Sequence, residues 1–133
     1  MKHGYVAPID RLTQENAEFR HVLYTAPSLQ LVLMRLMPGE EIGMEMHEKN
    51  DQFLRIESGE GEILINGGSH QVRAGDCIIV PQGAEHNVIN RSDSQPLRLY
   101  TIYAPPHHHD GTIHNTKAEA EESTEEYDGI PTE

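Results

Sequence analysis

Between residues 20 and 104 the chain is a train of short apolar runs broken by turn-forming residues, and this pattern constrains the fold more than any other feature. HVLYT is followed by LQLVLMRL, which stops at Pro38-Gly39; DQFLRIES, GEILIN, HQVRAG, DCIIVP, HNVIN and LRLYTIYA come after it, with Gly, Pro, Asn or Ser in the breaks. Strands at this spacing, with no helical pattern between them, predict an antiparallel sandwich or barrel. In INGGSH the glycines can take the positive φ that a tight hairpin turn needs. At 133 residues the chain is long enough for one domain with a single core.

The two ends read differently. IDRLTQENAEF predicts a short N-terminal helix with Asp10 as its cap, and HNTKAEAEES predicts a second, capped by Asn115 or Thr116. APPHHHDGTIH is a Pro-stiffened connector that cannot pair inside a sheet. The expected division is an arm, short helix and first strand over 1–28, a barrel over 29–104, and the connector, helix and acidic tail over 105–133.

Charge and cysteine narrow the function classes. The net charge of −12 argues against nucleic acid and anionic membranes as partners. Residues 117–133 supply half of it, with one Lys against seven acids, so the tail is expected to be mostly solvated. No apolar run is long enough to cross a bilayer, and MKHGYVAPIDRL lacks the apolar stretch of a secretory signal. A single cysteine, Cys77, excludes an intrachain disulfide and fits a cytoplasmic location. Its setting, DCIIVP, reads as a buried strand, with Cys77 as a small core residue.

Chemistry concentrates in GMEMHEKNDQF, residues 43–53. In an extended strand residues i and i+2 point the same way, so Glu45 and His47 project together, with Gln52 close behind. Taken alone, the stretch has two readings: a solvent-facing polar row with Met44 and Met46 buried behind it, or a site on an inner face. A second stretch, GDCIIVPQGAEHNVIN, places Pro81 and Gly83 in a tight turn and His86 at the start of the next strand.

Together these stretches resemble the two motifs of the cupins, small β-barrels. The first family motif is Gly, five residues, His, one residue, His, three or four residues, Glu, six residues, Gly. Gly39, Glu45, His47, Gln52 and Gly59 stand at those spacings. The second is Gly, five residues, Pro, one residue, Gly, two residues, His, three residues, Asn, matched by Gly75, Pro81, Gly83, His86 and Asn90. The resemblance covers roughly residues 29–104. It implies an all-β double-stranded β-helix (jelly-roll) barrel, with short N- and C-terminal helical segments, that binds one divalent metal ion through Glu45, His47, Gln52 and His86. On an inner face, a charged Glu45 and two imidazoles would be costly without a cation.

The set departs from the family at two positions. Glu45 stands where the first His is usual, and Gln52 stands where Glu is usual. Asp51 is the alternative to Gln52 if a bulge turns it inward, although the count to Gly59 selects Gln52. The competing outcome is a barrel that has lost its metal. Nitrogen and oxygen donors without a thiolate suit Mn(II) or Fe(II) first, then Ni(II) or Zn(II). The Gln-containing set also resembles that of small cupins acting on unsaturated uronates. The implied function is that of a metal-dependent enzyme, of isomerase or dioxygenase type, acting on a small oxygenated substrate such as a sugar, sugar acid or diketone. The alternative is a non-catalytic metal- or carbohydrate-binding module.

Other residues carry weaker expectations. His107, His108, His109 and His114 belong either to a solvated connector or to a segment that folds over the barrel mouth and lends one imidazole to substrate. His3, His21 and His70 are expected at the surface or in turns. Of Tyr100 and Tyr103, the sequence does not choose which faces the cavity. Met44 and Met46 are expected under the N-terminal segment or a partner subunit. CIIV and LVLM are apolar on both faces and need outside cover, which predicts a homodimer.

Overall fold

A computed structural model describes all 133 residues, Met1 to Glu133. The elements run α1 (Ile9–Glu15), β1 (Arg20–Thr25), β2 (Gln30–Leu36), β3 (Glu45–Met46), β4 (Asp51–Ser58), β5 (Glu60–Ile65), β6 (Gly68–Arg73), β7 (Cys77–Val80), β8 (Glu85–Ile89), β9 (Leu97–Ala104), β10 (Ile113–His114) and α2 (Lys117–Glu122). All strand pairings are antiparallel. They form a six-stranded sheet in the order β10-β1-β2-β9-β4-β7 and a four-stranded sheet in the order β3-β8-β5-β6. The two sheets enclose one core as an all-β double-stranded β-helix, the jelly roll that the strand pattern and the motifs predict.

Alternation along the strands builds that core. On β9, Leu97, Leu99, Thr101 and Tyr103 are buried; on β4, Gln52, Leu54 and Ile56 are. The same parity therefore carries the apolar core at one end of each strand and polar groups at the other. Two turns fix the register. Asn66 (φ 46°) and Gly67 (φ 82°) form the two-residue link between β5 and β6, with Ile65 paired to Gly68, so Gly68 belongs to the strand. Gly59, between β4 and β5, has φ 89°, and a Cβ there would lie 2.5 Å from the Pro96 carbonyl oxygen.

Several expectations need correction. Asp10 does not cap α1: the helix starts at Ile9 behind Pro8, whose fixed φ suits a helix entry, and no side chain caps it. Thr116 does cap α2, accepting from the Glu119 N–H at 3.2 Å. Cys77 is exposed because β7 is an edge strand in which Ile78 and Val80 face inward while Cys77 and Ile79 face out. An all-apolar run conceals that parity. Met44 (57% exposed) and Met46 (48%) are not covered by the N-terminal segment. That segment instead places α1 against β2, β4 and β9, where the outward-parity Leu33 of β2 is buried.

The acidic tail is largely exposed, as expected, but it is tethered to the body of the fold. Thr132 exchanges two bonds with Thr25, its N–H reaching the Thr25 carbonyl at 2.8 Å and its hydroxyl accepting from the Thr25 N–H at 2.8 Å. The Glu133 carboxylate accepts from the Tyr24 hydroxyl at 2.6 Å. Further along, Glu125 is tied to the histidine connector. No helix is long and apolar enough to cross a membrane.

Candidate metal centre

β3 is only two residues long, yet its pairing with β8 sets Glu45 directly opposite His86. His47 follows immediately after β3. Donor atoms of Glu45, His47 and His86 all lie within 4.8 Å of one another. Both imidazoles are buried, with ring centroids 5.2 Å apart, while the Glu45 side chain keeps 33% of its exposure.

Each imidazole and the glutamine are oriented by a neighbour. Nδ1 of His86 lies 3.1 Å from the Ala84 carbonyl oxygen. With the proton on Nδ1, Nε2 turns its lone pair to the centre. Nε2 of His47 is 3.0 Å from Glu45 Oε2 but off the line of a hydrogen bond, so it is a buried atom without a bonding partner. Gln52 is 4% exposed, and its Nε2 donates to Thr101 Oγ1 at 3.0 Å. The Thr101 hydroxyl proton goes to the Phe53 carbonyl at 2.8 Å, so toward Gln52 this oxygen can only accept. The amide is thereby fixed with Oε1 as its free end, and Oε1 too is buried without a partner. Asp51 turns outward and accepts from the Gln82 N–H at 2.9 Å, as strand alternation requires.

Glu45, Gln52, His86 and Tyr103 line an interior void of about 10 Å³, close to the room that one water or ion needs. Tyr103 is the inward tyrosine at 3% exposure; Tyr100 faces out and packs on Phe53 with ring centroids 6.2 Å apart. The residues fit a divalent cation. Two imidazoles, a carboxylate and an amide oxygen offer hard and borderline donors, and two buried donor atoms, His47 Nε2 and Gln52 Oε1, have no other partner.

Burial by itself would push the Glu45 carboxyl up. Contact with His47, followed by the charges of His47, Arg20 and His86, outweighs that and holds it below its usual value. The carboxylate is therefore the form present at neutral pH.

The histidine connector is not a solvated link: it folds over the mouth of the barrel. The His107 ring lies 4.4 Å from the His47 ring and stacks on Tyr103 at 5.2 Å. Burial, then the charges of His108 and His47, push His107 down to about 4, so it is neutral near pH 7. His108 is 6% exposed, and its Nδ1 lies 2.6 Å from Glu125 Oε1. Glu125 also accepts from the His109 N–H at 2.7 Å. Against the upward push of burial, these bonds bring Glu125 down to about 2.

Residues that sequence reasoning missed hold the connector in place. Gln30 is fully buried. Its Oε1 accepts from the N–H groups of His107 (3.1 Å) and His108 (2.9 Å), and its Nε2 donates to the His108 carbonyl (2.8 Å) and to Thr25 Oγ1 (2.9 Å). The Asn50 amide donates to the Pro105 carbonyl. Beside the centre, a second cavity of about 340 Å³ is bounded by Arg20, Ile42, Glu45, His107, Lys117 and Glu125 among others. Glu45 and Ile42 border both this cavity and the small void, so the two adjoin.

Comparison with known proteins agrees with this architecture. The chain is 45% identical over 122 residues to the YrkC protein of Bacillus subtilis (strain 168), a match that takes in 87% of this chain and 65% of that protein's length. The crystal structure of BH2720 from Bacillus halodurans superposes with a TM-score of 0.88 at 40% identity, over 91% of this chain and 96% of that one. A shorter match, 31% identical over 61 residues, joins 46% of this chain to 50% of a Thermotoga maritima oxalate-binding protein. Residues 32–103 match the family described as Cupin domain, and the chain belongs to the cupin family.

Proposed function

We propose that the chain is a metal-dependent enzyme acting on a small oxygenated molecule at a centre formed by Glu45, His47, Gln52 and His86. Redox-neutral isomerisation is favoured over oxygen chemistry, and Mn(II) or Fe(II) over Ni(II) or Zn(II). The observation that carries this reading is the pair of buried, partnerless donor atoms, His47 Nε2 and Gln52 Oε1, beside the Glu45–His86 pair at the end of a ligand-sized cavity. A bound divalent cation supplies Lewis-acid polarisation of a carbonyl or hydroxyl oxygen. The protein contributes the rest. Glu45 stays ionised, Thr101 and the Ala84 carbonyl aim their ligands inward, and the connector restricts water at the mouth. His107, neutral near pH 7 and packed on Tyr103, would border bound substrate.

The test begins with the metal content of purified protein. Turnover is then screened with and without oxygen across sugar acids, diketones and phenolics. Product that disappears in Glu45→Ala and His86→Ala supports the proposal. Ligand binding without turnover would favour a second reading, a non-catalytic binding module, toward which the 31% identity to an oxalate-binding protein points. The homodimer expectation joins this proposal. The β7 edge presents Cys77 and an Ile79 that is 67% exposed, and a second copy would cover them. A monomeric mass by light scattering removes it.

A further inference from the structure

The cavity beside the centre holds a guanidinium that no carboxylate touches. Arg20 is 8% exposed, and its side chain lines the cavity with Glu45 and Lys117. Its Nη1 donates to Nδ1 of His114 at 3.2 Å, the residue paired with it across β1 and β10. Its Nε is buried with no acceptor. Burial, and then the charge of Arg20 itself, push His114 down, so this imidazole stands neutral and does not offset the guanidinium. No carboxylate oxygen lies within 4.0 Å of Arg20, since every ion pair of the chain is made by other residues.

The acids that share the cavity are engaged elsewhere. Glu121 faces Lys117 at 3.6 Å. Glu125 is held by His108 and the His109 N–H. Glu45 meets His47 at 3.0 Å. A guanidinium taken almost wholly out of water is costly unless it is paired, and its planar fork matches a two-oxygen anion.

We propose that Arg20 forms the anion-binding end of the ligand site. It receives the carboxylate of a small sugar acid or hydroxy acid, and a second oxygen of that molecule reaches the centre at Glu45, His47, Gln52 and His86. The second contact rests on the function proposed above; the carboxylate contact does not. A monoanionic carboxylate fits better than a phosphate dianion, because Glu45, Glu121 and Glu125 border the same cavity and their field penalises each added negative charge.

The experiment compares acetate, glycolate and inorganic phosphate against chloride at equal ionic strength, using calorimetry and thermal shift. Wild-type protein is tested both metal-loaded and chelator-stripped. Acetate and glycolate should bind and raise Tm with or without metal, phosphate should do no better than chloride, and metal should strengthen glycolate more than acetate. Arg20→Gln should weaken acetate and glycolate roughly 10- to 100-fold, the contribution of hydrogen bonds to a charged group, with metal content unchanged. The proposal is overturned if neither carboxylate outdoes chloride on wild-type protein, if phosphate binds more tightly than both, or if folded Arg20→Gln binds them as wild type does. Should Arg20→Gln fail to fold, the ranking of anions on wild-type protein decides. A protein that takes up no metal sinks the function proposed above, while acetate on the stripped protein still judges Arg20.

Discussion

Replacing Thr101 by Val tests the centre from one step outside it. Valine has nearly the same shape, so packing among Leu99, Tyr103 and Gln52 persists while the hydroxyl is lost. That hydroxyl accepts from Gln52 Nε2 at 3.0 Å and donates to the Phe53 carbonyl at 2.8 Å. At a position with no exposure, a stranded amide N–H costs about 1–3 kcal/mol. Its cheapest relief is for the Gln52 amide to turn over, which would present NH₂ instead of Oε1 to the cation. Outer partners of this kind typically account for roughly 10- to 100-fold in metal affinity. The assay is competitive metal titration of wild type, Thr101→Val, Gln52→Ala and the double variant, with denaturant melts alongside. Thr101→Val should lose affinity by that factor, and Gln52→Ala should lose at least as much. The double variant should be no worse than Gln52→Ala, since both changes remove one interaction. An equal loss from Thr101→Val in the Gln52→Ala background would refute the reasoning, because the hydroxyl would then act through another route.

Three further outcomes follow from the same geometry. Gln30→Leu removes the bonds that hold the His107 and His108 backbone; amide exchange at both should rise sharply while the β4–β9 ladder stays protected, and unchanged exchange would show that the tail alone holds the connector. Gly59→Ala should cost on the order of 2 kcal/mol or more in a denaturant melt, from a strained positive φ together with a Cβ 2.5 Å from the Pro96 oxygen; a cost within a few tenths of that of a surface change would contradict the close approach. In chelator, stability should fall as pH drops from about 6.5 to about 4, because folded His107 refuses a proton that the unfolded chain accepts. The contribution of Glu125 should persist to about 4.3 and fade toward about 2, because its folded value is the depressed one. A His107→Gln curve as steep as wild type between about 6.5 and 4 would assign that proton elsewhere.

The barrel was legible because its information is local. Turn residues at Pro38-Gly39, Gly59, Asn66-Gly67, Gly75 and Pro81-Gly83 divide the chain, and alternation assigns faces wherever polar and apolar residues alternate. It failed at CIIV, where every residue is apolar and nothing in the run says that Cys77 faces out. The spacing of Glu45, His47 and His86 could be read because β3 and β8 are set by short turns, and the choice of Gln52 over Asp51 follows from the count to Gly59 together with strand parity. The outer supports were less visible, although a signal existed. Gln30 shares parity with Val32, Met34 and Leu36, and Thr101 with Leu97, Leu99 and Tyr103, so each is a polar residue at a core position. What no local pattern could give is the return of the tail. The pairings of Glu125 with His108 and Thr132 with Thr25 span 17 and 107 residues. The tail stays largely exposed, as composition suggested, but these contacts tether it to the body of the fold.

Gln30 grips the connector by its peptide groups and leaves the imidazoles of His107 and His108 untouched. The path of the segment over the opening is therefore set first by backbone bonds, to which the His108–Glu125 contact adds a side-chain tie. Residue 107, whose imidazole makes no hydrogen bond, can be exchanged for others without dismantling the rim, so the scaffold can be retuned toward a different small molecule at that position while Gln30 and His108 keep its framework.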